Sequence, residues 1–280
     1  MDGSFLVRIF WVGTYLLKRE VVTITLLTIQ NLSYSFNPLH SPPLFTDLTM
    51  KVCKGEFVSI VGASGCGKST LFKMIAGLLE PSGGELILHG STSSTRNRLG
   101  NIAYMPQQDL LLPWRTVLDN CLLPWEINQV RSKAETISTI REMLKRFGLS
   151  EVEKAFPNEL SGGMRQRVAL LRTLITGGDL MLLDEPFGAL DAITKREMHK
   201  WLLDLWGELG KTVLFITHDL EEAVLLSDRI YLMTGRSHSD PLEEMVIELP
   251  RPRNFTMNYT PEFLELREDL ERRLYDTHIL

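Results

Sequence analysis

Residues 57–71, FVSIVGASGCGKSTL, decide the fold. Phe57, Val58, Ile60 and Val61 make a short apolar, β-branched run ended by glycine, the pattern of a strand buried in a parallel sheet. Gly62, Gly65 and Gly67, with Ala63, Ser64 and Cys66 between them, let the backbone turn tightly and aim successive N–H groups into one nest. An apolar-periodic segment opens at Leu71, so the nest sits at a helix N-terminus, where unpaired amides and the helix dipole favour an anion. The spacing is G-x-x-x-x-G-K-[ST]. In that pattern Lys68 supplies a cation for the β- and γ-phosphates, and the hydroxyl of Ser69, followed by Thr70, is placed to hold Mg²⁺.

Two more apolar runs end in polar groups. LMLL (180–183) ends in Asp184-Glu185, and VLFI (213–216) ends in Thr217-His218-Asp219. Ligands of open α/β sheets bind beyond the carboxyl ends of strands, so all three endings belong to one site. Adjacent carboxylates after a buried strand are costly unless they meet a cation or do chemistry. Asp184 is expected to hold Mg²⁺, leaving Glu185 to polarise a water, with His218 near the γ-phosphate or that water.

A chain of 280 residues with 44% hydrophobic and 23% charged residues is an ordinary globular composition, enough for one large domain or two small ones. A net charge of -5 argues against nucleic acid as the main partner. Cys53, Cys66 and Cys121 are odd in number and scattered, which fits a reducing cytoplasm. For Cys66 two readings stand: oxidation that inhibits, or a small residue filling the loop.

Residues 1–20 form an extension of their own. The Phe5–Leu17 segment is mostly apolar but is interrupted by Arg8 and is too short to span a bilayer. An interfacial anchor, a packing arm and a translated upstream extension all remain open. Strand patterns are expected over 21–36 and 44–52, with a proline-bearing loop between them, and again over 86–88 and 102–105. Leu71, Met74, Ile75 and Leu78 recur at helical spacing, and that helix is expected to stop near Pro81 and Gly83-Gly84. From about 110 to 176 the pattern is helical only. Ser132 and Glu135 make a capping box, Ile137, Ile140, Leu144 and Phe147 a stripe, and Gly148 a C-cap. Strand and helix then alternate from Leu180 onward, which predicts a mostly parallel sheet covered by helices.

The most specific segment is LSGGMRQRVAL, 160–170. With the phosphate loop, it makes residues 25–276 resemble the nucleotide-binding subunits of ATP-binding-cassette (ABC) transporters. The resemblance implies an α/β fold: a P-loop NTPase core with a mostly parallel sheet, an antiparallel β subdomain and an α-helical insertion. It implies an ABC ATPase domain over 21–250, with a helical subdomain over about 108–177 and a helical tail over 251–280. Ser161, Gly162 and Gly163 put a hydroxyl and bare amides at a second helix start. In the family that start faces the γ-phosphate held by a partner, so a homodimer encloses two ATP. Gln107 matches the Q-loop glutamine, which reaches the metal and water. Asp191 matches the D-loop and His218 the switch histidine. Phe36 falls where the family stacks an aromatic on adenine, with Tyr34 as the rival. Met164 stands where glutamine is commoner.

LLPWRTVLDN (111–120) and the segment from 249 onward are similar to importers of the nitrate, sulfonate and taurine type, including relatives for vitamin precursors. Trp114 and Arg115 are either contacts to a permease coupling helix or plain surface residues. The resemblance implies an ATP-hydrolysing importer subunit, peripheral on the cytoplasmic face. Its partners would be permease subunits and, indirectly, a solute-binding protein. A soluble ABC ATPase without a membrane partner is the alternative, and a small-molecule kinase on the same loop a third class. The chain is expected to end without an added regulatory domain.

Overall fold

The computed structural model describes residues 24–37, 42–92, 94, 98–129, 132–188, 190–234 and 241–275. The 1–20 extension and the 21–23 part of the first strand expectation lie outside the described residues.

In chain order the elements begin with β1 (Thr25–Tyr34), β2 (Phe45–Cys53), β3 (Phe57–Gly62), α1 (Lys68–Ile75), β4 (Gly83–Leu88), β5 (Ser91–Thr92) and β6 (Ala103–Met105). Next come α2 (Val117–Asn128), α3 (Lys133–Arg146) and α4 (Gly162–Thr176), then β7 (Leu180–Asp184), α5 (Ala192–Leu209) and β8 (Thr212–Ile216). The last described elements are α6 (Leu220–Leu226), β9 (Arg229–Met233), β10 (Glu243–Val246) and α7 (Pro261–Tyr275).

Two sheets result. The six-stranded sheet has the order β10-β9-β3-β8-β7-β6. Every neighbouring pair from β9 to β6 is parallel, and β10 joins β9 antiparallel. The four-stranded sheet, β2-β1-β4-β5, is antiparallel. This is the α/β architecture with a separate antiparallel sheet that the sequence predicts.

Period-two alternation divides the large sheet between two cores. Phe57 and Val61 of β3, Met181 and Leu183 of β7, and Val213 and Phe215 of β8 pack with the helical insertion, α5 and α6. Val58, Ile60, Leu180, Leu182, Leu214 and Ile216 face the other way, onto α1 and the antiparallel sheet. Leu71, Phe72, Met74 and Ile75 of α1 are fully buried there. The phosphate loop is thereby fixed between two well-packed layers.

The helical insertion follows from its caps. Ser132 and Glu135 form the reciprocal capping box of α3. Gly148 takes the left-handed φ of 66° that ends the helix, with Leu149 N–H bonding back to the Leu144 carbonyl. Ile140, Leu144 and Phe147 are buried.

The start of the chain after the phosphate loop differs from expectation. α1 stops at Ile75, and Leu78 lies outside it, 53% exposed. The cause is Gly77 at φ 80°: its N–H bonds to Met74 O, and Leu78 N–H bonds to Lys73 O, closing a Schellman motif. Gly83-Gly84, expected as a stop, instead opens β4. Gly84 serves there as a close approach, since a Cβ would stand 2.3 Å from the Asn31 carbonyl oxygen of β1.

Candidate active site

Parallel pairing places the carboxyl ends of β3, β8, β7 and β6 side by side on one edge of the large sheet. β3 delivers the phosphate loop, β8 delivers Thr217-His218, β7 delivers Asp184-Glu185, and Gln107 follows two residues after β6. The expected constellation is assembled by topology alone.

The shape of the loop rests on its glycines. Gly65 and Gly67 have φ of 82° and 107°, which a side chain would strain. Gly62 has no room for more than hydrogen, because a Cβ would lie 2.2 Å from the Met233 carbonyl oxygen. Ala63, Ser64 and Gly65 are exposed at the mouth, and Cys66 is half-buried. The Lys68 ammonium is buried and folds back, donating to the carbonyls of Gly62 (2.8 Å) and Ala63 (2.7 Å). The cation and the first amides of α1 surround one concavity that suits polyphosphate.

Ser69 Oγ donates to Asp184 Oδ1 at 3.1 Å. A hydroxyl paired with a carboxylate at the end of a strand is an oxygen donor set for a hard divalent cation. Asp184 is only 2% exposed, and this burial raises its pKa above the ordinary carboxylate value. The hydrogen bond from Ser69 opposes the shift, and neighbouring Glu185 adds to it. Tyr104 packs close by, its hydroxyl pushed upward by burial and by Asp184.

Glu185 is held in the left-handed region at φ 47° while its N–H still bonds to Ile216 O at 3.0 Å. A non-glycine residue there is strained, as at many catalytic positions. Its Oε2 accepts from Gln107 Nε2 at 3.0 Å and lies 3.3 Å from His218 Nδ1. His218 and Gln107 are exposed, open to whatever enters.

The signature segment has the expected local form. Ser161 caps α4, accepting from Met164 N–H at 3.2 Å, and Ser161 and Gly162 are exposed. A Cβ on Gly163 would come within 3.3 Å of Leu190. Asp191 caps α5, accepting from Ile193 and Thr194 N–H, and those bonds, first the Thr194 hydroxyl, lower its pKa. Among the described residues no hydrogen bond links Ser161–Gly163 to the phosphate loop. Phe36 is 70% exposed and receives Tyr34 edge-on, ring centroids 5.2 Å apart. Trp114 is 71% exposed, whereas Arg115 is tied to Glu126 at 2.7 Å.

Residues 45–188 match the family model described as ABC transporter. This chain belongs to the ABC transporter family. It is an ATPase cassette, and its similarity to solved and characterised relatives extends well beyond the matched segment. It is 41% identical over 248 residues to the formylaminopyrimidine import ATP-binding protein ThiZ of Halalkalibacterium halodurans, covering 88% of this chain and 94% of that one. It is 40% identical over 226 residues to the nitrate import ATP-binding protein NrtC of Synechococcus elongatus, covering 80% of this chain and 34% of that one. A cassette solved as a dimer in a post-hydrolysis state bound to ADP and Pi superposes with TM-score 0.72 at 30% identity, over 80% of this chain and all of that one.

Two parts of the ABC cassette's site carried no signal in the sequence. One is the Met233 carbonyl against Gly62, a contact made by strand pairing. The other is a buried polar cluster behind His218, whose residues come from two stretches, 195–199 and 217–222.

Proposed function

We propose that this chain is the ATP-hydrolysing subunit of an ABC importer and works as a homodimer with two ATP between its protomers. The observation carrying this reading is the Gln107–Glu185–His218 cluster beside the phosphate loop, with the Ser161–Gly163 start exposed and unlinked to it. The site is complete only when a second copy brings its signature to the first copy's phosphates.

Ser69, Asp184 and Gln107 would hold Mg²⁺, which when bound neutralises phosphate charge. Gly62 through Thr70 cradle the phosphates, and Lys68 exchanges its loop carbonyls for phosphate oxygens. Glu185 accepts the proton of the attacking water as the bond from the γ-phosphorus to ADP oxygen breaks; Gln107 and His218 orient that water. Phe36 offers its free face to adenine, braced at its edge by Tyr34. Asp191 belongs to the dimer contact.

The domain division proposed is 1–20, 21–250 with the helical subdomain at about 108–177, and 251–280. Trp114 faces the permease. Asn120 supports this by bonding the loop around it, donating to the carbonyls of Leu112, Arg115 and Thr116. No described helix is long and apolar enough to cross a membrane. Attachment at the cytoplasmic face through permease subunits is the reading that the import ATP-binding relatives support. A solute-binding protein acts indirectly. The cargo proposed is a small solute, nitrate/sulfonate/taurine-like or vitamin-precursor-like; among the relatives, the nitrate and formylaminopyrimidine import proteins support it. The test is sedimentation of the Glu185→Gln chain with ATP and Mg²⁺: it should dimerise, and a strict monomer with or without permease overturns the reading.

A further inference from the structure

Behind His218 lies a buried cluster that the mechanism above does not use. Glu222 of α6 is 3% exposed. Its Oε1 lies 2.9 Å from His199 Nε2 and 2.7 Å from Lys195 Nζ, both on α5. Its Oε2 accepts from the Thr217 hydroxyl, which in turn accepts from Asp219 N–H at 3.0 Å. Lys195 also meets Asp219 Oδ2 at 2.7 Å, while Asp219 Oδ1 caps α6 through the N–H groups of Glu221 and Glu222.

Both chain neighbours of His218 are therefore held by this cluster, and His218 itself is the exposed residue between them. The His199 ring meets Phe187, two residues after Glu185, at 5.2 Å between centroids. α5 itself begins at the Asp191 cap. The helix capped by Asp191 and the segment carrying His218 meet at one buried carboxylate, and the segment carrying Glu185 packs against the His199 ring beside it. Burial by itself would raise the Glu222 pKa, but hydrogen bonds from His199 and Lys195 outweigh it and hold the group below its ordinary value. A buried, ionised carboxylate with fixed donors is a rigid anchor, because each lost donor leaves it unpaired.

We propose that Lys195, His199 and Glu222 are positioning residues for ATP hydrolysis: they fix the Thr217–Asp219 backbone so that His218 reaches Glu185, and they tie that placement to the helix capped by Asp191. This rests on the hydrolytic role given to His218 above. Misplacing a catalytic side chain by about 1 Å can cost up to a hundredfold in rate.

The test uses the full-length chain and single-turnover ATP hydrolysis with protein in excess, which resolves slow variants. Lys195→Met should lower the rate at least about tenfold while its affinity for a fluorescent ATP analogue stays near wild type and its melting temperature falls but leaves the chain folded at the assay temperature; Lys195→Arg should restore most of the rate. In the nucleotide-free chain, amide exchange over 217–223 should accelerate in Lys195→Met. In a His218→Ala background Lys195→Met should add no further loss, since it acts through that histidine. Additive losses, or an unchanged Lys195→Met rate, overturn the positioning role alone. A His218→Ala chain that hydrolyses at the wild-type rate overturns the reading of His218 and this proposal with it. Should Lys195→Met not fold, Glu222→Gln is judged by the same criteria.

Discussion

Glu185 Oε2 lies 3.3 Å from His218 Nδ1, and the same oxygen accepts from Gln107 at 3.0 Å. One carboxylate oxygen thus joins the ends of three strands. Glu185→Gln keeps the shape and removes the proton acceptor. Turnover should fall by about a hundredfold or more while ATP affinity is retained. Steady-state phosphate release against equilibrium nucleotide binding checks both halves, and retained turnover would remove Glu185 from the mechanism.

Gly62 is a backbone requirement. A methyl group there collides with the Met233 carbonyl oxygen at 2.2 Å, and both atoms belong to paired strands that cannot easily part. Gly62→Ala should cost about 1–3 kcal/mol, in the range of overpacking, and should weaken ATP binding together with stability. Denaturant unfolding and nucleotide titration would measure the two.

Asp184 is a carboxylate whose pKa is raised in the folded chain by burial. A raised carboxyl favours the protonated folded state, so its contribution is fully present below the unfolded pKa and is lost as pH rises through the folded one. At neutral pH the ionised group therefore subtracts stability in the nucleotide-free chain. Asp184→Asn should melt higher than wild type at pH 7, with the difference shrinking toward acid, while losing Mg²⁺-dependent ATP hydrolysis. A lower melting point at pH 7 would contradict this.

Leu144 is 1% exposed on α3 and belongs to the same core as β3, β7 and β8. Leu144→Ala should cost about 2–5 kcal/mol. Because that core is continuous with the large sheet, the loss should appear in one cooperative transition, seen equally by far-ultraviolet circular dichroism and tryptophan fluorescence.

Much of this was readable in advance, for local reasons. The phosphate loop, the Ser132–Glu135 capping box and the strand endings at Asp184 and Thr217 each state their structure within a few residues, through glycine, hydroxyl or carboxylate at a fixed offset. α1 was overextended because Leu78 keeps the helical period after Gly77 has already ended the helix. Gly83-Gly84 read as a break since nothing local reveals that Asn31 will press against Gly84. The Glu222 cluster stayed hidden for the same cause: Lys195, Thr217 and Glu222 meet only after β8 and α5 are packed. That Phe36 is left 70% exposed while Tyr34 packs edge-on against it was hidden likewise, since two aromatics at i and i+2 do not announce which will be left uncovered.

The Lys68 ammonium donates to the carbonyls of Gly62 and Ala63, so on the proposed reading it reaches phosphate from an already paired position. An incoming phosphate does not meet a bare cation; it competes for one. Binding becomes an exchange of oxygen for oxygen, in which the gain is only the difference between anionic and neutral acceptors. On the proposed reading the same two carbonyls offer the lysine a partner again as product departs.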